Sequence, residues 1–227
     1  HDRSYEAGRE AALRAGVKAY IPTPNRALQG LMELNAAVVS KILHWSPLAV
    51  ATLDMDATLV ETAKAMALYC YKHFPAFQPL NVWLAERQLM LWSEFRDGNV
   101  PAGHEQLRVF KAALEHLPSS VGKARLRSDS AGYQWDLLKY CAEGQNKRFG
   151  VIDFAVSADV SKEFRQAVQE TPSDAWKPLV RQADGMELET GQEWAEVCFV
   201  PSEVGHKKGG PVYRFLAIRE PLRQLEL

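Results

Sequence analysis

With 227 residues, the chain is long enough for one large domain or two small ones around a substantial core. Its 47% hydrophobic and 24% charged residues are those of an ordinary globular protein. Lys+Arg 27 against Asp+Glu 28 gives a formal charge of −1, which excludes a chain-wide basic surface, so any grip on nucleic acid has to be local.

Cys70, Cys141 and Cys198 are far apart and odd in number, and no CxxC or Cys/His spacing accompanies them. Neither a zinc site nor a disulfide framework is indicated. No apolar stretch reaches the length of a membrane span and there is no signal-peptide pattern, so a cytoplasmic setting with reduced thiols is expected. The chain opens on His1 rather than methionine, as an internal fragment would.

Taken in order, residues 1–20 read as a polar, alanine-rich helix that Ile21-Pro22-Thr23-Pro24-Asn25 breaks. Leu28, Leu31, Met32, Leu34, Ala37, Val38 and Ile42 recur at helical spacing and predict a second helix from Arg26 to about His44. Ser46-Pro47 ends it, and an apolar strand begins near Leu48. Thr62 to Tyr71 has no clear pattern. Phe74 to Ala85 is aromatic, proline-marked and strand-like, and Leu89 to Phe95 predicts a further strand.

Arg96-Asp97-Gly98-Asn99 is a turn, because Gly and Asn tolerate positive φ. Pro101-Ala102-Gly103 leads into a helix that the stripe Leu107, Phe110, Leu114 and Leu117 predicts to about Leu117. A strand over 123–130, a helix over 134–142, a strand over 148–156 and a helix over 161–170 follow. Beyond Pro172, residues 193–200 and 211–219 read as strands joined by Gly205 to Gly210. Strands alternating with helices call for a mostly parallel sheet, and the consecutive strands at the start give it an antiparallel edge.

The stretch with chemistry in it is Ala49 to Leu59, an apolar run ending in Asp54-Met55-Asp56-Ala57-Thr58. In a strand, side chains at i and i+2 share a face, so Asp54 and Asp56 project together. Their repulsion calls for relief by a cation, a proton or solvent, and a hard divalent cation prefers oxygen ligands. The plain alternative is a polar strand end entering a turn. Asp129 closes another predicted strand. In α/β sheets the active site lies at the carboxyl ends of neighbouring parallel strands, so Asp54/Asp56 and Asp129 converge if their strands are adjacent.

Two families share this motif. A hydrophobic strand followed by Asp-x-Asp-x-Thr and Leu-Val resembles the haloacid-dehalogenase phosphatases. That resemblance implies Asp54 as nucleophile and Asp56 as general acid/base, but the later lysine and acidic motifs have no good counterpart. The longer match, from Leu53 to about Val156, resembles the DDE transposases of bacterial insertion sequences. Three blocks carry it in order: Thr52-Leu53-Asp54-Met55-Asp56-Ala57-Thr58; Phe95-Arg96-Asp97-Gly98-Asn99 with Ala102; and Leu126-Arg127-Ser128-Asp129-Ser130-Ala131-Gly132-Tyr133, continued by Leu137-Leu138 and Phe149-Gly150-Val151.

The transposase resemblance implies an RNase H-like mixed sheet flanked by helices over 48–170. A helical region over 1–47 precedes it, and a partial β-rich insertion over 171–227 follows. It implies Asp56 and Asp129 as the first two catalytic acids, Asp54 as an auxiliary catalytic carboxylate or, with the register shifted, the metal ligand itself, and a two-metal magnesium or manganese site. One metal would activate the attacking hydroxyl and the other would stabilise the leaving oxygen at a DNA phosphodiester. Double-stranded DNA at transposon ends and target, a homodimer and a nucleoid-associated location are further implications. The family's third acid, a glutamate after the insertion, has no matching motif before Leu227. The segment therefore reads as truncated and unable to complete strand transfer alone.

Lys207 and Lys208, with Lys123, Arg125 and Arg127, are the expected phosphate contacts. Trp176 and Trp194 are the candidates for stacking on a flipped end base, although packing is the commoner use of such rings. Arg96 and Asp97 are read as shaping their turn. His44, His73, His104, His116 and His206 show no ligand spacing. A decayed relative that only binds DNA is the non-enzymatic reading.

Overall fold

The computed structural model describes residues 3–17, 19–183, 185–199 and 213–220. These divide into two compact units, 1–158 and 159–227. In the first, α1 (Arg3–Arg14) and α2 (Arg26–Trp45) precede β1 (Val50–Ala57). Short strands β2 (Val60–Glu61), β3 (Leu68–Tyr69) and β4 (Pro75–Phe77) come next, then β5 (Leu80–Leu84), β6 (Leu89–Glu94), α3 (Gln106–Glu115), β7 (Lys123–Ser128), α4 (Trp135–Ala142) and β8 (Asp153–Val156). The second unit holds α5 (Lys162–Glu170), β9 (Lys177–Ala183), β10 (Met186–Val197) and β11 (Phe215–Arg219).

The main sheet has the order β6-β5-β1-β7-β8. β5 is antiparallel to β1 and β6, while β1, β7 and β8 run parallel. This is the mixed sheet flanked by helices that the sequence predicts, antiparallel at one edge and parallel at the other.

Alternation along β1 explains its central place. Ala51, Leu53 and Met55 are fully buried, and Thr52, Asp54 and Asp56 point the other way. The buried set joins Ala124 and Leu126 of β7, Val109, Phe110, Ala113 and Leu114 of α3, and Leu137 and Cys141 of α4 in one core. Burying side chains such as Leu53 and Met55 contributes about 1.5–3 kcal/mol each. Val39 and Leu43 bring α2 into the same core, and the Asn35 side-chain amide donates to the Met90 carbonyl of β6 at 2.9 Å. Asn25 caps α2, its side-chain oxygen accepting from the Leu28 N–H.

Several boundaries differ from the sequence pattern. β2, β4 and β3 form a small antiparallel sheet between the first two strands of the main one. Each has two or three residues, too few for alternation to register. α3 starts at Gln106, three residues after Pro101-Ala102-Gly103 lead into it, because Glu105 stands in the left-handed region at φ 50°. β8 starts at Asp153 rather than Arg148. Upstream of it the Asn146 side chain accepts from the N–H groups of Arg148 and Phe149, and the Arg148 guanidinium donates to the carbonyls of Leu117 and Val121. Those bonds hold the segment in a turn.

The motif turn after β6 is a closed polar knot. Arg96, 0% exposed, pairs with Glu94 at 2.8 Å and donates to the His104 carbonyl at 2.7 Å. Asp97, 1% exposed, accepts from the Tyr5 hydroxyl of α1 at 2.7 Å, with the Arg9 guanidinium 3.9 Å away. A Cβ on Gly98 would stand 2.5 Å from the Ala76 carbonyl oxygen and 2.7 Å from that of Leu68, so only glycine fits.

In the second unit β10 pairs antiparallel with both β9 and β11. Trp176, Ala195, Val197 and Ala217 form its core with Phe164, Ala167 and Val168 of α5. The sequence reading has no strand at β9 and starts β10 seven residues late. The hairpin they form is exposed along Glu187, Leu188 and Glu189 and so lacks a one-sided apolar pattern. No helix among the described residues is long and apolar enough to cross a membrane.

Candidate active site

Parallel pairing of β1 with β7 sets Asp54 opposite Arg127 and Met55 opposite Ser128. The next step beyond Ser128 brings Asp56 alongside Asp129. Two contacts hold that end of the sheet. The Ser128 hydroxyl, buried, donates to the Met55 carbonyl at 3.0 Å, tying the last residue of β7 to β1. Asp129 then caps a short 3-10 turn, Ser130–Gly132, its Oδ1 accepting from the Ala131 N–H at 3.0 Å. Gly132 lets that turn close over Ser128, since a Cβ there would lie 2.6 Å from Ser128 Oγ.

The electrostatics separate the three aspartates. Asp56 is held above the usual carboxylate range, first by burial and then by the charge of Asp129. The Ala57 backbone N–H pulls the other way, and Asp54 adds a smaller upward push. Asp54 is instead paired with Arg127: the guanidinium donates to Asp54 Oδ2, and this bond holds Arg127 in its charged form. The structure therefore couples Asp56 with Asp129 and gives Asp54 a partner of its own.

Asn81 completes the surroundings of Asp56. It is the cross-strand partner of Asp56 on β5, 7% exposed, donating to Thr58 Oγ1 at 3.3 Å and accepting from Ser93 Oγ–H at 2.7 Å. The sequence reading passes over it. The available signal is one polar amide inside the otherwise apolar run Leu80–Leu84, and a buried amide with its hydrogen bonds met usually sits there for a reason.

Around this end, one face of the sheet is ionic. Lys123, Arg125 and Arg127 alternate outward along β7. Lys123 pairs with Asp153 at 2.6 Å, Arg125 lies 3.8 Å from the same carboxylate, and Arg127 is engaged by Asp54. Each expected phosphate contact on this strand thus already has a carboxylate within reach. Lys207 and Lys208 lie outside the described residues. In the second unit Trp176 is 7% exposed and the Arg219 guanidinium covers its ring at 3.8 Å. Trp194 is half-buried, with Lys177 Nζ 5.6 Å from its ring centre. Of the two tryptophans, Trp194 has the more accessible ring.

No group of three or more His, Cys, Asp or Glu side chains placed to share a metal ion occurs among the described residues. The donor set at Asp56 and Asp129 still has the chemistry of a hard-cation site: oxygen donors only, both side chains open to solvent, with the charge of Asp56 disfavoured by partial desolvation and by a like charge. It supplies two carboxylates.

No curated protein matches the sequence. A solved piggyBac transposase, in a synaptic complex with hairpin DNA, shares 10% identity at a TM-score of 0.39. That match covers 80% of this chain and 39% of the other, so the chain spans well under half the length of that transposase. The pattern of a transposase DDE domain, group 1, matches residues 10–217, nearly the whole sequence, and the chain belongs to that family.

Proposed function

We propose that this DDE transposase domain serves the cleavage of transposon-end phosphodiesters in double-stranded DNA and the transfer of the freed 3′-hydroxyl to a target strand, with Asp56 and Asp129 as its metal-holding pair and a third acid needed to complete the set. The observation that supports this reading most is the coupling of Asp56 to Asp129 at the ends of adjacent parallel strands. Magnesium or manganese bound there would supply charge stabilisation for the attacking and leaving oxygens of an in-line displacement.

The chain's own residues do the rest. Ser128 and the Asp129 cap fix where the two carboxylates stand. Asn81 fills the opposite flank of Asp56 with a satisfied amide that adds no charge. The Arg127–Asp54 pair balances charge one residue pair back from the site, and a phosphate arriving there competes with Asp54 for the guanidinium. Asp54 is on this reading an auxiliary carboxylate rather than a metal ligand. Trp194 is the stacking candidate of the second unit. No observation favours the phosphatase alternative, since its nucleophile, Asp54, is engaged by Arg127.

The test is calorimetric binding of manganese to the chain and to Asp56→Ala and Asp129→Ala, together with manganese-dependent nicking of supercoiled DNA. Both substitutions are expected to weaken metal binding. A silent Asp129→Ala would overturn the shared site. DNA binding without nicking by the unsubstituted chain would leave the non-enzymatic reading standing in its place.

A further inference from the structure

The pairing of β1 with β5 runs from Leu53↔Leu84 to Ala57↔Leu80, and it does not stop at the main sheet. The Thr58 N–H donates to the Pro79 carbonyl at 3.1 Å, β2 pairs with β4 at Val60↔Phe77 and Glu61↔Ala76, and the Thr62 N–H donates to the Pro75 carbonyl at 3.1 Å. The register is the same throughout. β1–β2 and β4–β5 are therefore one antiparallel ribbon that runs on past Asp56. Thr62 lies six residues beyond Asp56, roughly 20 Å at about 3.3 Å per residue.

At its far end β3 pairs with β4, and the Cys70 N–H donates to the Phe74 carbonyl while the His73 N–H donates to that of Cys70. These bonds leave Tyr71, Lys72 and His73 as a three-residue tip. His73 stands at φ 64°, where glycine is the default in such loops. The whole tip is exposed, and Tyr69 and Tyr71 are 66% and 68% open to solvent. Among the described residues no carboxylate pairs with Lys64 or Lys72, whereas Lys123, Arg125 and Arg127 each have one within reach. The root is fixed, by contrast. The Gln78 N–H donates to the Arg96 carbonyl at 2.9 Å, Gly98 packs on the carbonyls of Leu68 and Ala76, and the Arg9 guanidinium donates to that of Met66 at 2.6 Å.

We propose that this ribbon is an arm that grips duplex DNA about six base pairs from the phosphodiester being cut, with Lys64 and Lys72 on phosphates and Tyr71 against a groove edge. The arm rests on the reading of Asp56 and Asp129 as the place of the cut, and adds where the flanking duplex is held. Its reach sets the spacing, since roughly 20 Å spans about six steps of 3.4 Å along the helix axis. Its charge sets the partner. A cation with no carboxylate of its own displaces counterions from phosphate at no internal cost, whereas each cation of β7 first has to leave an ion pair. The major groove is wide enough for a two-stranded ribbon, and phosphate contacts fix the direction in which a duplex lies across a protein. A fixed root is what such a contact needs to align the DNA over the carboxylates.

Fluorescence anisotropy of a labelled linear duplex, in EDTA and over a range of salt, tests this on the whole chain without any cleavage. The double substitution Lys64→Ala/Lys72→Ala should flatten the slope of log K against log salt by about 2, and Tyr71→Ala should weaken binding about 5-fold. These side chains are exposed, and native circular dichroism checks each variant. Position is read by photo-cross-linking in a Cys198→Ser background, Cys70 and Cys141 being buried. A benzophenone carried by Lys72→Cys should link to the duplex. One carried by Glu115→Cys, at the C-terminal end of α3, should not. Duplex binding with an unchanged salt slope, or linkage from position 115 in place of 72, would overturn the arm and leave the DNA reading intact. A chain that binds no duplex at all would overturn both.

Discussion

Two charged blocks of the first unit look alike in the sequence and behave in opposite ways in the fold. At Arg96-Asp97 every charge is turned inward. Glu94 and the His104 carbonyl take the guanidinium, Tyr5 serves the carboxylate, and both residues are almost wholly buried. At Asp56-Asp129 two like charges are brought together, and the nearest cation, Arg127, is given to Asp54. A buried charge whose partners are all internal holds a turn in place. A pair of like charges kept together at strand ends and open to solvent leaves a repulsion that no side chain answers, as a place for a ligand does.

The comparison breaks most sharply in the activity of Asp56→Ala and Asp129→Ala. Either change should lower metal-dependent cleavage by about 10²–10³-fold, the usual loss for a group that stabilises a charged transition state. The melting temperature of Asp56→Ala should hold or rise, because a like-charge contact has been removed, whereas Asp129→Ala also loses the cap on Ser130–Gly132 and should fall slightly. A clear fall for Asp56→Ala would mean that the end of β1 is structural after all.

Arg96→Met tests the other region. It leaves Glu94 with Arg108 at 2.7 Å as its remaining partner, so a loss of about 3 kcal/mol in urea unfolding is expected, toward the low end for a broken buried pair.

Asp97 gives a smaller and more specific effect. Asp97→Ala strands the Tyr5 hydroxyl and should cost about 1–3 kcal/mol, whereas Asp97→Asn keeps an acceptor and should cost much less. Burial raises the Asp97 pKa despite the opposing pulls of Tyr5 and Arg9. Between the unfolded and folded values the native state therefore holds more protons. The contribution of Asp97 to stability should fall as pH rises through that window and level off above it. Asp97→Asn should remove this slope from unfolding midpoints measured between acidic and neutral pH.

The least effect belongs to Asp54→Asn. Its pair with Arg127 is more than a third exposed on both sides taken together, and thermal unfolding should register a change of less than about 1 kcal/mol. A larger loss would place Asp54 with the structural block.

Much of this contrast was legible in local pattern. The alternation of Val50–Ala57 is strong enough to name the central strand and the face that carries Asp54 and Asp56. The periodicity of Arg26–Trp45 names α2, and Gly98 marks a turn that only glycine can make. Segments such as Val60–Phe77 and Lys177–Ala183 escaped, because very short or doubly exposed strands have no one-sided burial to imprint on their residues.

Sequence by itself determined the order of elements, the mixed character of the sheet and the family to which three short motif blocks point, since local periodicity and turn chemistry act through neighbouring residues. Only the tertiary structure decided which charges became partners. Asp54 and Asp56 are equivalent by spacing, yet the register of β7 against β1 puts an arginine beside one and an aspartate beside the other. That choice is made across more than seventy residues of chain by strand pairing, and no local pattern encodes it.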